Sequence, residues 1–222
     1  MSVETLTIFG TPHIGVYIFT NDNFSLLPFD VPPKVENKVK ETLGVSVYKV
    51  SVAKSRLIGV LLAGNNNGLI LPRIIQDDEI NQLRQALGDV NFAVINDVRE
   101  TSMGNLILAN DKGCVVSELL PKRVVAEVSD TLGVECIQKS IGGFPLVGSV
   151  AVVTNKGLLL PPLVSEEEIE QFSSFFGVEA SIATINRGRI LLRSGMVANV
   201  HGALVGEETT GHEIMRIQQV LF

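Results

Sequence analysis

Gly64-Asn65-Asn66-Asn67-Gly68-Leu69-Ile70-Leu71-Pro72 joins a turn signal to a short apolar run closed by proline. Asn and Gly accept left-handed backbone angles that β-branched residues resist, so Asn-x-x-Gly between apolar segments reads as a hairpin turn. The same grammar recurs along the chain. The turn position of Gly68 is held elsewhere by Phe24, Gly113, Gly157 and Gly202, at successive spacings of 44, 45, 44 and 45 residues. Three residues earlier stand Asn21, Asn65, Asn110 and Asn199, with Thr154 followed by Asn155 in the fourth copy. Four residues later come Pro28, Pro72, Ser117, Pro161 and Gly206.

Downstream of each turn, apolar residues recur four apart: Val39 with Leu43, Leu83 with Leu87, Val128 with Leu132, Phe172 with Phe176, and Ile217 with Leu221. This spacing marks the inward stripe of a short helix. In four copies a glycine follows directly, at 44, 88, 133 and 177, as suits a left-handed helix end. Helix starts are marked by Asp77, by the capping-box spacing of Ser165 and Glu168, and by Pro33 near a first turn. Each unit therefore reads strand, strand, turn, strand, helix. The 222 residues divide into repeats 1–44, 45–88, 89–133, 134–177 and 178–222 of one α/β domain.

Register predicts a closed ring. Residues 1–8 align with Val45–Val52, a strand that follows a helix, while the chain's last residues align with a helix end. The fifth helix lacks its following strand, and the N-terminal segment supplies it. Open repeat arrays need polar caps; here the terminal apolar residues continue the internal pattern.

The chain is 45% apolar and 19% charged, a globular composition. No apolar run approaches the ~20 residues of a membrane span, and no basic region precedes an apolar stretch at the N-terminus, so the cytoplasm is expected. Cys114 and Cys136 fall at strand positions and read as small buried hydrophobes. With 18 basic against 24 acidic residues, scattered, a grip on nucleic acid mainly through phosphate is not expected. His13, His201 and His212 stand at no metal-ligand spacing. Glu166, Glu167 and Glu168 read as a helix first turn, and Gly142-Gly143 lacks the Lys-Ser/Thr of a phosphate loop. No cofactor or metal is expected.

What single copies own points to function. The link between the first two strands of each unit varies most, and three of the five carry arginine: Arg56, Arg99, and Arg187 with Arg189. Equivalent loops in a ring gather on one face, and arginine is enriched at interfaces. The fifth copy has Arg193 where the others have Gly15, Gly59, Gly104 and Gly148.

With these repeats, the motifs Gly-Asn-Asn-Asn-Gly-Leu-Ile-Leu-Pro at 64–72, Met-Gly-Asn at 103–105, Val-Gly-Ser at 147–149, Thr-Ile-Asn-Arg-Gly at 184–188 and Gly-Met-Val-Ala-Asn at 195–199 resemble the translation initiation factor 6 family, archaeal type, over the whole chain. The resemblance implies a five-bladed α/β propeller of the pentein type. It also implies a monomeric translation factor that binds the large ribosomal subunit at its intersubunit face, chiefly through ribosomal proteins near the sarcin-ricin loop and with limited rRNA contact. Such a factor blocks joining of the small subunit and takes part in large-subunit maturation. Family motifs place ribosome-binding residues at Arg56, Asn65, Asn105, Asn186 and Arg187; Arg99 joins them on loop position. Similar rings also serve as guanidine-modifying enzymes with a cysteine and a histidine at the axis. Here neither cysteine has a histidine in an adjacent loop, so catalysis is not expected. A non-ribosomal interaction scaffold is the other alternative.

Overall fold

A computed structural model describes residues 2–222, so Met1 of the expected first strand lies outside the described residues. The strands in chain order are β1 (Val3–Leu6), β2 (Phe19–Thr20), β3 (Phe24–Pro28), β4 (Ser46–Val50), β5 (Ala63–Gly64), β6 (Gly68–Pro72), β7 (Asn91–Ile95), β8 (Ile107–Ala109), β9 (Gly113–Val116), β10 (Glu135–Gln138), β11 (Val152–Val153), β12 (Gly157–Leu160), β13 (Glu179–Ile182), β14 (Met196–Ala198) and β15 (Ala203–Gly206). They form five three-stranded sheets: β2-β3-β4, β5-β6-β7, β8-β9-β10, β11-β12-β13 and β14-β15-β1. In each, a short inner strand pairs antiparallel with the middle strand, and the middle strand pairs parallel with the outer one. Parallel neighbours need a crossover. An eleven-residue helix supplies it in four blades: Pro33–Leu43, Asp77–Leu87, Lys122–Leu132 and Glu166–Phe176.

The fifth blade is completed across the chain's ends, since β1 lies parallel to β15 with Val3 opposite Ala203 and Leu6 opposite Gly206. Each helix also packs against the preceding blade: Pro33–Leu43 on β15, Asp77–Leu87 on β4, Lys122–Leu132 on β6 and β7, Glu166–Phe176 on β9, and Gly211–Leu221 on β12. The core is accordingly split into five clusters, one of which joins Leu6 and Ile8 to Val39, Leu43, Val197 and Leu204.

Turn asparagines bind blade to blade. Asn65 accepts at Oδ1 from the backbone N–H groups of Asn67 and Gly68, and through Nδ2 it donates to the carbonyls of Asn110 in the next blade and Leu132 at a helix end. Asn110 repeats this toward Thr154 and Phe176, and Asn199 toward Asn21 and Leu43, which carries the circuit across the closure. Glycine at the turn lets the helix end approach: a Cβ on Gly157 would stand 2.1 Å from the Val220 carbonyl oxygen, and one on Gly202 2.2 Å from that of Thr42. Phe24 occupies this position in the first blade, and Asn21 makes its bond to Asn65 without one to a helix carbonyl.

The next residue of each turn seals the axis at this end. Asn66 and Asn155 each donate through Nδ2 to both Asp22 and Asp111, at 2.6–2.8 Å. Alternating donors and acceptors can close only on an even number. Five blades supply five positions, and the fifth holds Val200, which has no side-chain polar group. Val200 joins through its backbone N–H, which donates to Asp22. Asp22→Asn would set an amide donor against two donors already in place. We expect a loss of ~1–3 kcal/mol in urea unfolding, and Gly157→Val to lose at least as much through overpacking.

Candidate functional site

Middle and outer strands run to the same end of the ring, opposite the hairpin turns, and the variable loops gather there. Residues 8–11, 52–55, 141–144 and 185–189 each close with a backbone bridge. Their tips take left-handed angles even without glycine: Phe9 has φ 51°, Ala53 and Lys54 55°, Asn186 46° and Arg187 64°. Such angles are strained for these residues and persist only under support from outside the loop.

In three of these loops, though not in the one that holds Phe9, helix N-terminal carboxylates give that support. Glu79, the third helical residue after Gln76, accepts from the Ser51 hydroxyl and from the backbone N–H groups of Ala53 and Lys54 at 2.6–2.8 Å. Glu213 likewise accepts from the Thr184 hydroxyl and from the N–H groups of Arg187 and Gly188. Glu168 accepts from Gly142. Successive left-handed residues present their N–H groups as an anion-binding nest, and each carboxylate is an internal anion for it. Burial pushes both Glu79 and Glu213 upward, but the hydrogen bonds outweigh it and hold each below the usual carboxylate value. All three glutamates sit in capping boxes. That of Ser165 is legible in the sequence; Gln76–Glu79 is less so, because the helix begins at Asp77 and Gln76 is its cap.

Five of the six predicted binding residues share this face. Arg56 is exposed, lies 4.8 Å from the centre of the Phe9 ring and pairs with Asp30; Phe9 packs edge-on against Tyr17 at 5.2 Å. Arg99 and Arg187 are exposed. Asn105 is half-buried on the wall of an axial cavity of about 240 Å³, at the N-terminal end of the inner strands. Asn186 belongs to the face but is buried: its amide donates to Pro12 O and accepts from the Thr209 hydroxyl, joining the fifth blade to the first. Asn65 lies at the opposite end, buried, with its amide occupied in the turn circuit.

Sequence reasoning missed the apolar part of the face. Among the described residues, exposed large hydrophobic residues gather here. Leu57, Leu146 and Leu191 stand at the N-caps of the short helical turns that ring the axis, and Phe9, Phe29, Leu119 and Leu163 lie farther out. The equivalence of positions 57, 146 and 191 in the repeat was the available signal. Exposed apolar area interleaved with arginine is the composition of a protein-binding surface.

The eIF-6 family model matches residues 3–220. This chain belongs to the eIF-6 family. It is similar to translation initiation factor 6 of Pyrobaculum arsenaticum, 45% identical over 219 residues that cover 99% of this chain and 98% of the relative. Translation initiation factor 6 of Staphylothermus marinus is 39% identical over 223 residues, covering 100% and 98%. That of Pyrococcus horikoshii is 39% identical over 224 residues, covering 100% and 99%. Membership gives the protein a role as an initiation factor in protein biosynthesis, and the archaeal type expected from the sequence agrees with these relatives.

As an eIF-6 ring, the protein sets its two cysteines apart from the axis. Cys114 is buried in the middle strand β9 and stands opposite Cys136 in the outer strand β10, which is half-buried rather than buried as the sequence suggested. Among the described residues no helix is long and apolar enough to cross a membrane.

Because the carboxyls of Glu79 and Glu213 lie below their unfolded values, the stability they add is present at neutral pH and is lost as pH falls through the folded value. Glu213→Gln should lower unfolding free energy at pH 7 by ~1–3 kcal/mol and flatten its fall below about pH 4.5, as read by denaturant titration at a series of pH values.

Proposed function

We propose that this protein binds the large ribosomal subunit through its loop face and, as a monomer, sterically prevents joining of the small subunit. Membership of the eIF-6 family supports the ribosome as the partner. The observation that carries the choice of face is the gathering of exposed leucine and phenylalanine with Arg56, Arg99 and Arg187 at one end of the ring. With a net charge of −6, the chain suits a grip on ribosomal protein, beside the sarcin-ricin loop, more than on rRNA phosphate. Steric exclusion needs no bond to be made or broken: a rigid body seated at the intersubunit face occupies the partner's place. The same seat suits a role in large-subunit maturation, and the work belongs in the cytoplasm.

The Phe9–Arg56 pair is the proposed anchor, because desolvated arginine and aromatic side chains dominate interface energies. Cosedimentation with purified archaeal subunits, followed by light scattering of subunit joining, tests the reading. The wild-type protein should pellet with the large subunit alone and suppress joining. Arg56→Ala and Phe9→Ala should each weaken binding on the order of tenfold, whereas His201→Ala, exposed at the opposite end, should leave it unchanged. Pelleting with neither subunit would refute the function; sensitivity at His201 in place of Arg56 and Phe9 would refute the face.

A further inference from the structure

The axis carries one cation that no hydrogen bond or ion pair among the described residues meets. Four blades place glycine at the innermost helical turn, and there the backbones close on one another: a Cβ on Gly59 would meet Gly15 O at 2.0 Å, one on Gly104 would meet Gly59 O at 2.1 Å, and one on Gly148 would meet Gly104 O at 2.2 Å. The fifth blade places Arg193 at this position, and a Cβ on Gly15 would meet its carbonyl oxygen at 1.7 Å. The other four turns carry no side chain at this position. The arginine therefore stands alone at the innermost place, lining both the 240 Å³ cavity below the loop face and the narrower channel between the inner strands.

Its guanidinium has no hydrogen-bond or ion-pair partner among the described residues. Burial within the ring pulls its pKa down to about 10, although the side chain keeps accessible surface toward the cavity. A cation held deep in a protein without a counter-charge is costly unless water or an anion meets it. The carboxylates of Asp22 and Asp111 are not that anion: they line a separate cavity at the turn end, where both accept from Asn66 and Asn155.

We propose that the axial cavity is a binding site for one monovalent anion, held by the guanidinium of Arg193. Ser149 and Asn105, on the same wall, offer a hydroxyl and an amide that no other group of the described chain engages. Access is from the loop face, since the Asp22–Asn66–Asp111–Asn155 ring closes the far end and repels an anion from going deeper. Charge and wall set the ligand class. One guanidinium balances one negative charge, so sulfate or doubly ionised phosphate would leave a charge unmatched in an enclosed space. Gly15, Val16, Gly59, Val60, Leu146 and Leu191 make much of the wall apolar, which favours weakly hydrated ions such as bromide or nitrate, or a small carboxylate. The site stands whether or not the loop face docks on a ribosome.

Anomalous diffraction from crystals of the protein grown in sodium bromide should show a bromide in contact with the Arg193 guanidinium. In solution, melting curves of the wild type and of Arg193→Gly, the residue of the other four copies, are compared in bromide, nitrate and sulfate at matched ionic strength. Bromide and nitrate should raise the wild-type melting temperature relative to the variant by ~3–6 °C at about ten times the half-saturating concentration. Sulfate, which stabilises by exclusion from any protein surface, should shift both alike. If the variant does not fold, the bromide position in wild-type crystals decides. A cavity without bromide, or equal responses of the two proteins to bromide, would overturn the proposal; a shift specific to sulfate would overturn the assignment to a monovalent ligand.

Discussion

A carboxamide has two faces, and the ring is built on using both. At each turn asparagine the oxygen organises its own hairpin while the nitrogen reaches the next blade and, in three cases, the end of the helix packed there. A side chain that did one task would give five hairpins or five contacts; doing both makes hairpin formation and blade assembly the same event. Thr154 shows the limit. Its hydroxyl accepts from Lys156 and Gly157 and so keeps the turn, but it is too short to reach Asn199; that seam has the approach of Val220 to Gly157 and the Lys156 ammonium, which donates to the Val200 carbonyl.

Much of the architecture was legible because its constraints repeat. Asn-x-x-Gly, the apolar pairs four apart and the glycines after them recur since each blade meets the same neighbour in the same way, and closure followed from counting register. The site was less legible, for reasons that differ by residue. Asn65 and Asn186 carry family motifs but are buried by their own hydrogen bonds. Arg56 and Arg187 were readable as loop arginines, yet what aims them is not local: Glu79 and Glu213 lie 23 and 26 residues farther along, on helices that pack back onto the preceding blade. Leu57, Leu146 and Leu191 read as ordinary apolar positions, because exposure depends on the closed ring and not on the segment.

The two ends of the ring divide the labour. At the turn end, the asparagine hydrogen bonds are buried and shared among blades. At the loop end, three of the tips are held from beneath by carboxylates, so the exposed side chains there can differ from blade to blade without disturbing the frame. Symmetry builds the body, and the departures from it run from the Phe9–Arg56 contact on the rim to Arg193 at the centre.

The pairing of β1 with β15 also has a meaning in time. Val3 and Ala203 are 200 residues apart in the chain, so at ~5–20 residues per second a nascent chain holds the first strand without its partner for ~10–40 s. During that interval β1 is an unpaired edge, the kind of segment that recruits other chains. Its sequence, Val3-Glu4-Thr5-Leu6, puts a carboxylate in the middle of the edge, and in the folded ring Glu4 lies 3.3 Å from the ammonium of Lys38 on the first helix. The residue that serves as a surface ion pair in the finished protein thus guards the strand while it waits.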